Sequence, residues 1–287
     1  MGDVVDSIIV VRLSMNPRYP LPSGWLTRRV RPWFWPLLLG ASLAMGALPS
    51  RAQTGGAAEL DTWLRQLEAA ADRRDLDAVM GFYAPDFQAA GGLDRAGVAA
   101  GLTQLWERYR SMDYSIQLVD YAQQGDRLIA ETVTEVRGLR NEGGREVRLL
   151  ATVRSRQTIQ GDRIVSQEVL AERTQVFLGA NPPTIDVNLP DQVQAGETFN
   201  FDVIVKEPLG NNLLIGGALE ESISAERYLE PSDFELRLLQ AGGIFKQGRA
   251  PEQPEDRWLS AIVIREDGIT MITQRLRVIG RSAGALR

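Results

Sequence analysis

An α+β fold followed by an all-β sandwich is what this 287-residue sequence predicts, on three observations. Apolar residues recur at three- and four-residue steps between Leu60 and Tyr109; they alternate singly from Tyr114 to Phe177; and beyond Pro182-Pro183 the alternation resumes with little helical pattern. The first spacing keeps one face of a helix apolar, and the second keeps one face of a strand apolar.

The first helix carries Leu60, Trp63, Leu64, Leu67 and Ala71 on one stripe. Asp75 stands where an N-cap belongs, ahead of Leu76, Val79, Met80 and Tyr83, and Pro85 is expected to end that second helix. Asp94 caps a third, with Val98, Leu102, Leu105, Trp106 and Tyr109 facing inward. Strands then follow through Tyr114-Ile116-Leu118, Ile129 to Arg137, Val147 to Val153 and Ile164 to Phe177. Turns at Gln124-Gly125-Asp126, Gly143-Gly144 and Gly161-Asp162 join them as consecutive hairpins. A curved antiparallel sheet of this kind must cover its apolar face with the three helices.

Gly179-Ala180-Asn181-Pro182-Pro183 reads as a stiff linker, since two prolines stop both helix and ladder pairing. Thr184 to Leu189, Phe199 to Val205 and Phe234-Leu236-Leu238 alternate, and Asp267-Gly268 joins Trp258–Arg265 to Ile269–Val278 as a hairpin. The run Pro190 to Phe199 resembles the opening of bacterial immunoglobulin-like modules, which implies a β-sandwich over 184–280. The acidic stretch with Glu220, Glu221, Glu226, Glu230 and Asp233 lacks the ligand spacing of a calcium loop and reads as a solvated loop.

Ahead of these regions, Arg28, Arg29 and Arg31 precede an apolar run from Trp33 to Leu48, and Ser50-Arg51-Ala52 follows it. That order is a signal peptide over residues 1–52, and a start at Met15 gives it the normal layout. The run falls short of the roughly 20 residues a spanning helix needs, so a cleaved leader is the first reading and an uncleaved anchor the alternative. The organisation expected is therefore a leader at 1–52, a first domain at 53–178, a linker at 179–183 and the sandwich at 184–280. Export to a periplasm is the destination this implies, with a thylakoid lumen or the extracellular space as alternatives.

The composition removes whole chemistries. With no histidine and no cysteine in the chain, zinc sites, iron–sulfur clusters, Ser-His-Asp triads, thiol nucleophiles and disulfides are excluded. No metal or cofactor is expected. Without residues 1–52 the chain has 26 basic and 35 acidic residues, a formal charge of −9, which does not favour nucleic acid.

The run Ala71 to Phe87, with Asp72-Arg73-Arg74-Asp75-Leu76-Asp77 and Phe82-Tyr83-Ala84-Pro85-Asp86, resembles the second-helix signature of NTF2-like proteins, including the SnoaL-like and ketosteroid isomerase branches. The resemblance implies a cone-shaped sheet with a pocket between sheet and helices. It leaves function open, because that family hosts isomerases, dehydratases, ligand carriers and assembly modules. The isomerase branch needs a tyrosine on the first helix and a carboxylate after the second, and an ungapped count places Leu67 and Gly91 there. Neither residue can do that work.

Candidate pocket residues are Trp63, Tyr83, Asp86, Trp106, Tyr109, Tyr114, Glu131, Glu135 and Glu168. The aromatics read either as pocket lining or as core. Asp86 reads as a turn residue after Pro85 or as a pocket residue. Glu131, Glu135 and Glu168 read as pocket carboxylates or as cross-strand partners of arginines such as Arg137 and Arg148 on the outer sheet face. The functional expectation is an exported, non-catalytic protein whose first domain binds a small apolar ligand or an envelope protein, with the sandwich as an interaction module. A carboxylate and tyrosine lyase or isomerase, and a structural homodimer paired through the first domain's sheet, are the alternatives.

Overall fold

In the computed structural model, which describes residues 52–208, 213–229, 232–239 and 242–281, helix α1 (Ala52–Asp72) buries Leu60, Leu64, Leu67 and Ala71 along the expected stripe. The leader expected over 1–52 lies outside the described residues except for Ala52, as does Glu230. Among the described residues no helix is long and apolar enough to cross a membrane.

Helix α2 (Leu76–Gly81) starts where Asp75 accepts the Ala78 amide at 3.0 Å, and α3 (Arg95–Arg108) where Asp94 accepts the Gly97 amide at 2.8 Å. Each cap satisfies a backbone donor that the first turn leaves without a helical partner. Between α1 and α2, Arg74 adopts a left-handed φ of 56° and sends its guanidinium to the carbonyls of Trp106 and Tyr109, tying α1 to the end of α3.

The expectation that Pro85 ends α2 needs correction. The helix stops at Gly81, and Tyr83–Ala89 form strand β1, paired in parallel with β5 (Arg163–Gly179). Proline is tolerated there because the ladder is interrupted between Tyr83 and Gln88, so no pairing amide is required of it.

Strands β2 (Ser111–Gln124), β3 (Arg127–Glu142), β4 (Arg145–Gln160) and β5 form the expected antiparallel meander. The sheet continues through β13 (Gly268–Ile279), β12 (Arg257–Arg265), β9 (Ile215–Ser222) and the short β10 (Arg237–Leu238). Its order is β10-β9-β12-β13-β5-β4-β3-β2, so it crosses the segment read as a linker by pairing Gly268 with Gly179 and Gln274 with Arg173. Asn181 and Pro183 are held against that hairpin by Asp267 and Thr270.

A second sheet contains β11 (Gly243–Arg249), β8 (Thr198–Val205) and β6 (Ile185–Asn188), while β7 (Gln192–Gln194) runs parallel to the end of β13. Phe199, Phe201 and Val203 of β8 share one apolar cluster with Leu259, Val263, Ile272 and Leu276 of the long sheet. On the opposite face of the long sheet, Trp258, Ile262 and Met271 join the cluster that α1, α2 and α3 cover.

Two details differ from the alternation reading. Helix α4 (Ala225–Leu229) interrupts the acidic stretch, and Phe234 and Leu236 lie outside any strand. The chain there crosses close over β9: a Cβ added to Gly217 would stand 2.3 Å from the Glu235 carbonyl oxygen. Phe234 and Leu236 bury part of their surface by that crossing rather than through a ladder.

Candidate functional site

Along β3 and β4 the inner residues are Ala130, Thr132, Thr134 and Val136, and Val147, Leu149, Ala151, Val153, Ser155 and Gln157. Strand β5 departs from strict alternation. Its register against β4 leaves Val165 and Leu170 without a partner, so Ile164, Gln167, Val169 and then Glu172, Thr174 and Val176 turn inward. Each bulge inserts one residue and moves the inward side by one position in the sequence.

Between this inner face and the helices lies a cavity of about 140 Å3. Leu67, Val79, Phe87, Leu93, Val98, Leu102, Ile116, Val153 and Val169 supply apolar wall; Tyr83, Tyr114, Thr134, Ser155, Gln157, Gln167, Glu172 and Tyr228 supply polar groups. Burial pushes the Tyr83 hydroxyl up to about 12, because a phenolate is poorly solvated there.

Glu172 is held by residues from the far end of the chain. Its Oε2 accepts hydrogen bonds from Trp258 Nε1 at 3.0 Å and from Arg275 Nη2 at 3.1 Å, while Oε1 has no hydrogen-bond partner among the described residues. Arg275 also donates to the Tyr228 hydroxyl at 3.1 Å and to Asp256 Oδ2 at 3.2 Å, and the Tyr228 ring meets Trp258 edge-on at 4.7 Å. Burial by itself would disfavour the Arg275 charge; Glu172, Tyr228 and Asp256 outweigh it and raise the pKa, so the guanidinium stays charged.

Of the residues singled out in the sequence, Tyr83 and Tyr114 line this cavity. Trp106 packs beside it and donates its indole N–H to the Tyr114 hydroxyl at 2.7 Å. Tyr109 is buried core beneath the Arg140 guanidinium, and burial raises its pKa. Trp63 meets Phe82 edge-on and lines a separate hollow of about 520 Å3 with Tyr121, Leu128 and Ile159, near the β2–β3 and β4–β5 turns. Asp86 is exposed on β1.

The three carboxylates read as pocket candidates lie away from the cavity. Glu131 accepts from Arg154 Nε at 2.6 Å and pairs with Arg156; Glu168 pairs with Arg156 at 3.0 Å and with Arg277; Glu135 lies 3.8 Å from Arg137. They occupy the outer face because their positions alternate with inward Ala130, Thr134 and Gln167. Glu172 and Tyr228 went unread in the sequence. The signal for Glu172 was the alternation Glu172-Thr174-Val176-Leu178; α4, which carries Tyr228, has no periodicity long enough to detect.

Comparison with known proteins gives two family matches. Residues 64–167 match the SnoaL-like domain, and residues 180–279 match a domain of unknown function, DUF8623. No curated protein matches. Among solved structures, similarity is found to Bd1075 of Bdellovibrio bacteriovorus at 15% identity over 42% of this chain, with a TM-score of 0.32; the match spans 44% of that protein. A ketosteroid isomerase-like protein of Catenulispora acidiphila in complex with trimethylamine is similar at 14% identity, TM-score 0.28, over 37% of this chain and 82% of that one. An NTF2-like protein of Burkholderia xenovorans is similar at 17% identity, TM-score 0.23, over 38% and 85%.

Proposed function

We propose, on the premise that residues 64–167 form a SnoaL-like domain of the NTF2-like superfamily, that the chain is an exported protein binding a small, largely apolar molecule without transforming it. The observation that carries this reading is the cavity of about 140 Å3 between the inner face of the sheet and the helices. An apolar cavity of about 150 Å3 admits a benzene-sized guest, so the volume suits a molecule of one ring.

Binding is favoured over acid–base chemistry because the cavity's carboxylate, Glu172, has one oxygen committed to Trp258 and Arg275. A lyase or isomerase remains the second reading, and one observation favours it: Tyr83, Tyr114 and Tyr228 line the same cavity as Glu172. Export, with a periplasm as destination, rests on the basic, apolar and small-residue order of residues 28–52. An interaction role for residues 184–280, as an immunoglobulin-like module, rests on the shared core of the second sheet and the long sheet.

Native mass spectrometry of the protein isolated from its own cell envelope tests the reading in one measurement. The expected species begins at Gln53 and carries one small non-covalent adduct, released on denaturation. A mass retaining residues 1–52 would overturn cleavage of the leader, recovery of the protein from the cytoplasm alone would overturn export, and an adduct-free protein would overturn ligand binding. An adduct that loses mass during incubation would favour the lyase reading, and one that keeps its mass but changes its absorption spectrum would favour the isomerase reading.

A further inference from the structure

A buried carboxylate is costly unless its oxygens are hydrogen-bonded, and a self-sufficient interior leaves few such acceptors unmet. The Glu172 side chain is 1% exposed, and its Oε1 has no partner among the described residues. A second acceptor in the cavity wall, Gln157 Oε1, is in the same state, its amide nitrogen being directed to Gln167 Oε1 at 3.3 Å. Arg275 Nη1 and Nη2 are taken up by Asp256, Glu172 and Tyr228, leaving the negative partner of the ion pair as the charged residue in the cavity wall among the described residues.

We infer that the cavity recognises a one-ring ligand bearing a hydroxyl or amino hydrogen-bond donor, which Glu172 Oε1 accepts. This rests on the ligand-binding reading above and adds the chemistry of the ligand. A ligand presenting a carboxylate or phosphate would meet the Glu172 charge, whereas a donor meets the unmet need of Glu172 Oε1. Trp258 and Arg275, which hold Glu172 in place, lie in the 180–279 match, so that region of the chain contributes to the cavity's donor preference.

Titration of the full chain with phenol and, separately, with toluene tests the inference, because the two guests have nearly the same shape and differ in one donor. Binding is followed through the indole N–H resonance of Trp258. Phenol is expected to bind at least about tenfold more tightly than toluene, the least that a hydrogen bond to a charged acceptor should contribute. Equal binding, or tighter binding of toluene, would overturn the donor inference and leave the ligand-binding reading intact. Binding of neither guest would overturn both. In Glu172→Gln the preference for phenol should fall to within about threefold; if it persists undiminished in a folded variant, Glu172 is not the acceptor. Should that variant fail to fold, the comparison on the unmodified chain decides by itself.

Discussion

At the scale of single residues, the Glu172–Arg275 pair is the most exacting feature of the interior. Arg275 is 4% exposed and shared among Glu172, Asp256 and Tyr228, so its removal leaves a carboxylate in a desolvated site with the Trp258 indole as its one donor among the described residues. Breaking a buried pair from one side typically costs about 3–5 kcal/mol, well above the cost of an exposed pair. Arg275→Met should therefore lower stability by about that amount in urea denaturation. A loss under about 1 kcal/mol would mean that the site is hydrated and that the pair resembles the surface pairs Arg154–Glu131 and Arg156–Glu168.

At the scale of elements, α1 is fixed to the sheet edge by charge as well as by its apolar stripe. Strand β2 is an edge strand, and its inner-register amides at Tyr114 and Ile116 are taken up by Asp72 at 2.8 Å and Glu68 at 2.7 Å. A helix covering an edge in this way blocks pairing with another chain there. Glu68→Ala leaves the Ile116 amide without its acceptor in a half-buried position, and a loss of about 1–3 kcal/mol is expected by thermal or urea unfolding. Glu68→Gln retains an acceptor and should recover most of that loss; equal losses in the two variants would mean that packing, not the hydrogen bond, fixes the helix.

The helices were legible at this scale because Leu60, Leu64, Leu67, Val98 and Leu105 sit at helical spacing behind the caps Asp75 and Asp94. Strand β1 was not, because Pro85 carries a strong local signal for ending a helix while its pairing partners lie some eighty residues away in β5. The same limit applies to Glu168 and Glu172. Strict alternation from Ile164 puts both on the inner face, and the bulges at Val165 and Leu170, set by the register with β4, turn only Glu168 outward.

For the whole molecule, the long sheet makes the two matched regions mechanically one. Strand β5 pairs with β4 on one side and β13 on the other, and Trp258 and Arg275 reach back to Glu172. A chain ending at Leu178 would expose one edge of β5 and leave Glu172 without either donor. That fragment is expected to show no cooperative unfolding by circular dichroism, whereas the full chain should unfold in a single transition. A fragment that unfolds cooperatively at the full chain's midpoint would make the first region self-sufficient.

The sequence by itself determined the local periods, the helix caps, the hairpin turns and the absence of histidine and cysteine chemistry, because each depends on neighbours within a few residues. Only the tertiary structure decided which carboxylate enters the cavity and what holds it. Trp258 lies 86 residues beyond Glu172 and Arg275 lies 103 beyond it, and sheet pairing that brings such distant residues together leaves no periodic trace in either segment.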